Sequence, residues 1–254
     1  MCGRYELHAN PAAIALAFGL DWPPDIRPRF NIAPMQDVPI VRLNAAGERE
    51  LVQVRWGLVP RWAKDPSIGA RMINARGETA AVKPSYRTSF RRHRCLLPAD
   101  GFYEWQLRDD GRKQPVRVGM SDGSVFGLAG LYERWLPAEG QPLDTVTILT
   151  TAANALLKTV HERMPVIIAP DAYTRWLDPA EPDPTPLLEP YRAEPMAWWP
   201  VSMRVNSVKN DDAACIEPLV AGDDEAPAEP VQAMVAKESP EEPAPAKPTQ
   251  TQLF

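Results

Sequence analysis

The chain has 254 residues, 44% hydrophobic and 24% charged, the balance of a folded protein long enough for one or two domains with a sizeable core. Its three cysteines, Cys2, Cys95 and Cys215, show no CxxC spacing, which argues against a disulfide framework or a structural zinc site, and no metal or organic cofactor is implied. No secretory segment and no apolar run near the roughly 18 residues of a membrane span is present. The net charge of −5 lies entirely in residues 222–254, so the body is formally neutral; this excludes a nonspecific polycation but leaves room for a local basic groove.

In chain order, residues 11–20 read as a short helix with Pro11 in its first turn, and 22–34 as a proline-rich loop. Runs rich in Val, Ile, Thr and aromatic residues then predict strands at 38–43, 50–59, 95–105, 114–120, 125–135, 144–152, 164–169 and 197–205. Helical stretches are expected at 78–90, interrupted by Pro84, at 155–162 behind an Asn154 cap, and at 171–177 after Pro170. Long strands with few helices predict an α+β fold: a curled, mostly antiparallel sheet or barrel with a few peripheral helices, over residues 2–221. Residues 222–254 hold six prolines among Ala, Glu and Gln and are expected to form a disordered tail.

The first four residues are Met-Cys-Gly-Arg. Methionine is commonly removed before a small residue, which here leaves an N-terminal cysteine. Its amine, with a reference pKa of about 7.7–8.0, and its thiol, at about 8.5, both have reactive fractions near neutral pH. An aldehyde meeting this pair forms an imine with the amine, and the thiolate then closes a five-membered thiazolidine. Taken alone, Cys2 reads equally as an arbitrary residue at position 2, and Gly3 permits close backbone approach.

Five ordered segments accompany the terminus: Arg29-Phe-Asn-Ile-Ala-Pro34, Trp56-Gly-Leu-Val-Pro-Arg-Trp62, Ile73-Asn-Ala-Arg-Gly-Glu-Thr79, Pro98-Ala-Asp-Gly-Phe-Tyr-Glu-Trp105 and His161-Glu-Arg-Met-Pro165. In this order they resemble the SRAP family, the SOS response-associated peptidases, from Cys2 to about Arg204. The resemblance implies covalent capture of abasic sites in single-stranded DNA, with Cys2, Asn74, Glu104 and His161 as catalytic residues and no cofactor. Asn74 would orient the Cys2 amine. Glu104, between Tyr103 and Trp105, would be partly desolvated and suited to proton transfer, although a surface glutamate on an alternating strand reads the same way. His161 would assist imine formation and ring closure; a histidine ending a helical run also serves the helix dipole.

By the same resemblance Arg4, Arg76 and Arg163 contact the DNA backbone, while Trp62 and the Pro34-Met35 pair stack on or wedge between bases. A bacterial member has a second tryptophan where this chain has Ala63. Arg87, Arg91, Arg92, His93 and Arg94 form the densest basic run, readable as a phosphate track or as a solvated face. The chain ends Gln250-Thr-Gln-Leu-Phe254. This resembles a sliding-clamp-binding peptide, with Gln250, Leu253 and Phe254 as anchors on an acidic leash. The expected protein is a cytoplasmic monomer that joins the nucleoid when bound to DNA. It would crosslink to the lesion, with a lyase side reaction and self-removal of Met1. Two rival readings stay open: a cysteine peptidase, and a noncovalent single-strand binding module.

Overall fold

Stretches rich in branched and aromatic residues become strands, and the computed structural model, which describes residues 2–219 and the backbone of 231–232, arranges them in two sheets. In chain order the strands are β1 (Tyr5–Leu7), β2 (Arg29–Ile32), β3 (Asp37–Leu43), β4 (Arg49–Trp56), β5 (Asn74–Arg76), β6 (Arg94–Ala99) and β7 (Gly101–Leu107). They continue as β8 (Lys113–Met120), β9 (Phe126–Trp135), β10 (Leu143–Ala152), β11 (Arg163–Pro165), β12 (Ile167–Ile168), β13 (Met196–Pro200) and β14 (Val231–Gln232).

One sheet has the order β14-β13-β8-β7-β1-β2. The other runs β11-β10-β4-β3-β6-β9-β12, and β10 also pairs with β9 from Leu143↔Trp135 to Ile148↔Gly130. That last pairing closes β10, β4, β3, β6 and β9 into a five-strand barrel, which removes the exposed edges an open sheet would leave. The barrel is antiparallel except at β10–β4, where Thr145 and Val146 run parallel to Arg55 and Trp56. Its interior is tight at Gly130: a Cβ there would lie 2.5 Å from Leu97 and 2.8 Å from the Cys95 sulfur. Trp56, Leu96 and Leu131 fill the buried core, and Trp176 donates through Nε1 to the Cys95 carbonyl at 2.8 Å. Cys95 and Cys215 are both buried free thiols.

The main strands fall where the apolar pattern put them, with informative exceptions. The 22–34 loop contains β2, whose Phe30 and Asn31 amides are held by the Asp211 carboxylate at 2.6 and 2.8 Å. The run 95–105 is two strands in different sheets, broken at the buried Asp100, which accepts from the His8 and Ala9 amides. Residues 164–169 split at Val166 into β11 and β12. The strand at 197–205 stops at Pro200 and gives way to a 3-10 turn at Met203–Asn206. The helix expected at 155–162 is a single 3-10 turn, Leu157–Thr159, with Asn154 Oδ1 accepting from the Leu157 amide at 2.9 Å.

Within the segment expected to be disordered, Val231 and Gln232 pair with Trp198 and Ala197 of β13, where an edge strand offers backbone partners. The rest of residues 222–254, Gln250, Leu253 and Phe254 included, lies outside the described residues. Among the described residues, no helix is long and apolar enough to cross a membrane.

Candidate active site

Four side chains meet where the two sheets adjoin. β1 pairs antiparallel with β7, Tyr5 opposite Phe102 and Glu6 opposite Gly101. Carried back two residues, that register sets Gly3 across from Glu104, and the Tyr103 amide donates to the Arg4 carbonyl at 3.0 Å. The chain's first residues thus run along the strand that bears Glu104. From the other sheet, β5 lies parallel to β10 with Asn74 beside Ile148. The Asn74 side-chain amide donates to the Cys2 carbonyl at 2.7 Å, and its own Oδ1 is buried with no hydrogen-bond partner among the described residues. His161 stands in the turn before β11, where its Nδ1 accepts from the Arg163 amide at 2.9 Å. The Arg163 carbonyl oxygen lies 3.2 Å from the same nitrogen.

Electrostatics follow from burial. Glu104 is 4% exposed. Burial raises its pKa above the usual carboxylate value, while positive charge around it, His161 included, pulls the other way. Cys2 is fully buried, and its thiol is driven far above the ordinary range by desolvation and then by the charge of Glu104. The reference value gave this thiol a reactive fraction near neutral pH; burial in the fold favours its protonated form. Among the described residues, no cluster of three His, Cys, Asp or Glu side chains could hold a metal ion.

The flanking residues divide into two kinds. Arg4 is half-buried and committed to the protein: its Nη1 donates to Asn31 Oδ1 at 2.8 Å and to the Val205 carbonyl at 2.6 Å. Arg163 pairs with Glu78 and donates to the Thr150 carbonyl at 2.7 Å. Arg76 is exposed and makes no ion pair among the described residues. Pro34 and Met35 form a turn, with Met35 at φ +68°, an uncommon value for a side chain of this size, and its amide donating to Trp56 at 2.8 Å. Trp62 is 61% exposed. It rides on a loop whose ends meet at Gly57 and Gly69; a Cβ on Gly69 would lie 2.6 Å from the Gly57 carbonyl oxygen, so the backbones touch. Ala63 is buried against Val59 and Trp135, making it a packing position in this chain.

The basic run is not one surface. Arg94 is buried and donates to the carbonyls of Trp176, Phe90, Arg91 and Asp178, so it ties the ends of two short helices together and cannot serve a phosphate. His93 sits 3.7 Å from Glu133. Arg87, Arg91 and Arg92 are exposed. Sequence reasoning missed Asn31, which is fully buried and donates through Nδ2 to the carbonyls of Val205, Ser207 and Asn210 while gripping Arg4. With residues 22–34 read as a loop, where asparagine is ordinary, nothing in the sequence signalled this burial.

The family model described as SOS response associated peptidase (SRAP) matches residues 1–208. The chain is 42% identical over 223 residues to the abasic site processing protein YoqW of Bacillus subtilis, covering 85% of this chain and 99% of that one. It is 31% identical to the Escherichia coli abasic site processing protein YedK, over 86% of this chain and 100% of the relative. It is 36% identical to the chicken (Gallus gallus) abasic site processing protein HMCES, over 77% and 68%. A solved structure from Bordetella bronchiseptica has a TM-score of 0.70 at 28% identity, covering 80% of this chain and 100% of that one. A structure from Bacteroides thetaiotaomicron, at 24% identity and a TM-score of 0.75 over 86% and 100%, shares the fold. The chain belongs to the SOS response associated peptidase (SRAP) family.

Proposed function

We propose that this chain processes abasic sites in DNA by forming a covalent crosslink through Cys2. The observation that supports this reading best is the grip of Asn74 on the Cys2 carbonyl beside buried Glu104 and His161. The names of the relatives, abasic site processing proteins, agree with it.

Loss of Met1 frees the Cys2 amine. Protonated Glu104, stabilised by burial, donates to the ring oxygen of the abasic sugar and favours its open aldehyde. The amine attacks the aldehyde carbon, and one water leaves as the imine forms. The Cys2 S–H then adds across the imine C=N: sulfur bonds to carbon, the π bond breaks, the thiol proton reaches the nitrogen by way of a neighbouring base, and a thiazolidine closes with no change of oxidation state. Asn74 Oδ1 would accept from the amine and so direct its lone pair toward the aldehyde carbon. His161 moves protons during closure and reversal. If a base removes a proton next to the imine carbon before the sulfur arrives, the strand breaks, so a minor lyase product is expected. The same groups would also serve removal of Met1.

Single-stranded DNA suits an exposed Trp62 and a Met35 wedge, which a stacked duplex would exclude. The terminal Gln250, Leu253 and Phe254, outside the described residues, are proposed to dock on the sliding clamp; deletion of 250–254 should then abolish clamp binding by fluorescence anisotropy. The test of the main proposal is a denaturing gel of the tagless protein with an oligonucleotide holding one abasic site. A retarded band that requires both Cys2 and the lesion is expected, and its absence would refute crosslinking.

A further inference from the structure

A surface beside Trp62 has the chemistry of a second nucleic-acid contact. Glu133 on β9 is 4% exposed, and its carboxylate accepts from Arg61 Nε at 2.7 Å, from Ser89 Oγ at 3.1 Å and from the Arg134 amide at 3.1 Å. One residue on, Arg134 donates twice to Asp144, at 2.6 and 2.7 Å. Arg61 engages its acid through Nε and Arg134 through Nε and Nη2, and the two arginine side chains are 61% and 58% exposed. Together with the exposed Leu136 they line a cavity of about 200 Å³. Trp62 follows Arg61 directly, and its loop is tied to the same strand by the Trp135 Nε1 bond to the Ala63 carbonyl, 2.7 Å.

We propose that Arg61 and Arg134 form a phosphate subsite that carries single-stranded DNA onward from Trp62, away from Cys2. This rests on the reading of Trp62 as a base-stacking residue. The buried acid is what makes the site specific in geometry. A free surface arginine spreads over many rotamers, whereas Glu133 and Asp144 fix two forks at one cavity before the strand arrives, so less ordering entropy is lost on binding. Leu136 offers an apolar wall for the sugar or base between two phosphates. The contact reads backbone and stacking rather than base edges, as a lesion sensor indifferent to sequence requires.

The test uses the full chain and a fluorescein-labelled, undamaged single-stranded oligonucleotide, with Kd measured by anisotropy over a salt series. Each phosphate contact on a single strand contributes about 0.7 to the slope of log K against log salt. Arg134→Gln should lower the slope by about 0.7 and Arg61→Gln with Arg134→Gln by about 1.4, while Arg134→Lys keeps most of it. Arg61→Gln removes a partner of buried Glu133, so Arg134→Gln and Arg134→Lys carry the test if the double variant melts early. A slope and Kd equal to the unaltered protein in Arg134→Gln would overturn the subsite. Failure of crosslinking itself shows separately, as a missing adduct from the unaltered protein on an abasic oligonucleotide, and leaves the salt-slope result standing.

Discussion

The centre around Cys2 and the rim that holds Trp62 and Met35 are built on opposite principles. Cys2 is fully buried, Glu104 nearly so, and their proton affinities are shifted by removal from water. Trp62 and Met35 are left in water, 61% and 39% exposed, on short turns pinned by backbone bonds. Under the proposed function the contrast separates chemistry from grip: the buried titratable groups would act at the bond-making step, where a wrong charge state is costly, and the exposed side chains would set how long a strand stays. Substitutions in the centre should therefore change the rate of adduct formation with little effect on affinity for undamaged DNA, and substitutions at the rim should do the reverse.

The largest effect is expected at Cys2. Cys2→Ala keeps a terminal amine but lacks sulfur, so it should give no adduct that survives denaturation, yet borohydride should trap its imine. An adduct stable without reductant would contradict ring closure. Next comes Glu104→Gln, which preserves shape and removes the proton; single-turnover crosslinking should slow by about 10²- to 10⁴-fold. Should Glu104→Gln instead weaken binding to undamaged DNA, the division between centre and rim fails. Trp62→Ala follows, with a loss of about 1–3 kcal/mol in affinity for single strands, read by anisotropy.

The smallest effect concerns stability and lies at Glu6 on β1. Glu6 is buried against Arg117, with His8, Asp100 and Tyr103 nearby, and burial raises its carboxyl from 4.5 to about 7. Between those values the folded protein binds more protons than the unfolded chain, so the stability this group contributes is present below pH 4.5 and is lost as pH rises through about 7. Thermal melting across that window should show Tm falling with pH, and Glu6→Gln should flatten the fall.

Much of this was legible in the chain, and the failures have physical causes. β9 was readable to within a residue because Phe126–Tyr132 is an unbroken run of aromatic, small and branched side chains and Trp135 closes it. Aromatic neighbours announced the burial of Glu104. β1 and β5, at three residues each, are too short for any periodicity, yet they carry the segments that deliver Cys2 and Asn74. The break at Asp100 was invisible because Ala99 and Gly101 continue an apolar run while the carboxylate turns to cap amides more than 90 residues earlier. Arg163 and Glu78 lie 85 residues apart, so their pairing needed the fold. A lone arginine motif suggests phosphate contact; the structure shows Arg4 and Arg163 spending most of their donors on the protein itself.

Intact mass spectrometry of protein incubated with an abasic oligonucleotide, without reductant, reads the chemistry of Cys2 itself. Capture by the paired amine and thiol predicts one species: chain lacking Met1 plus oligonucleotide, less one water, with the link mapped to Cys2. A chain that retains Met1 yet reacts equally well, or a link mapped to a lysine, would contradict it.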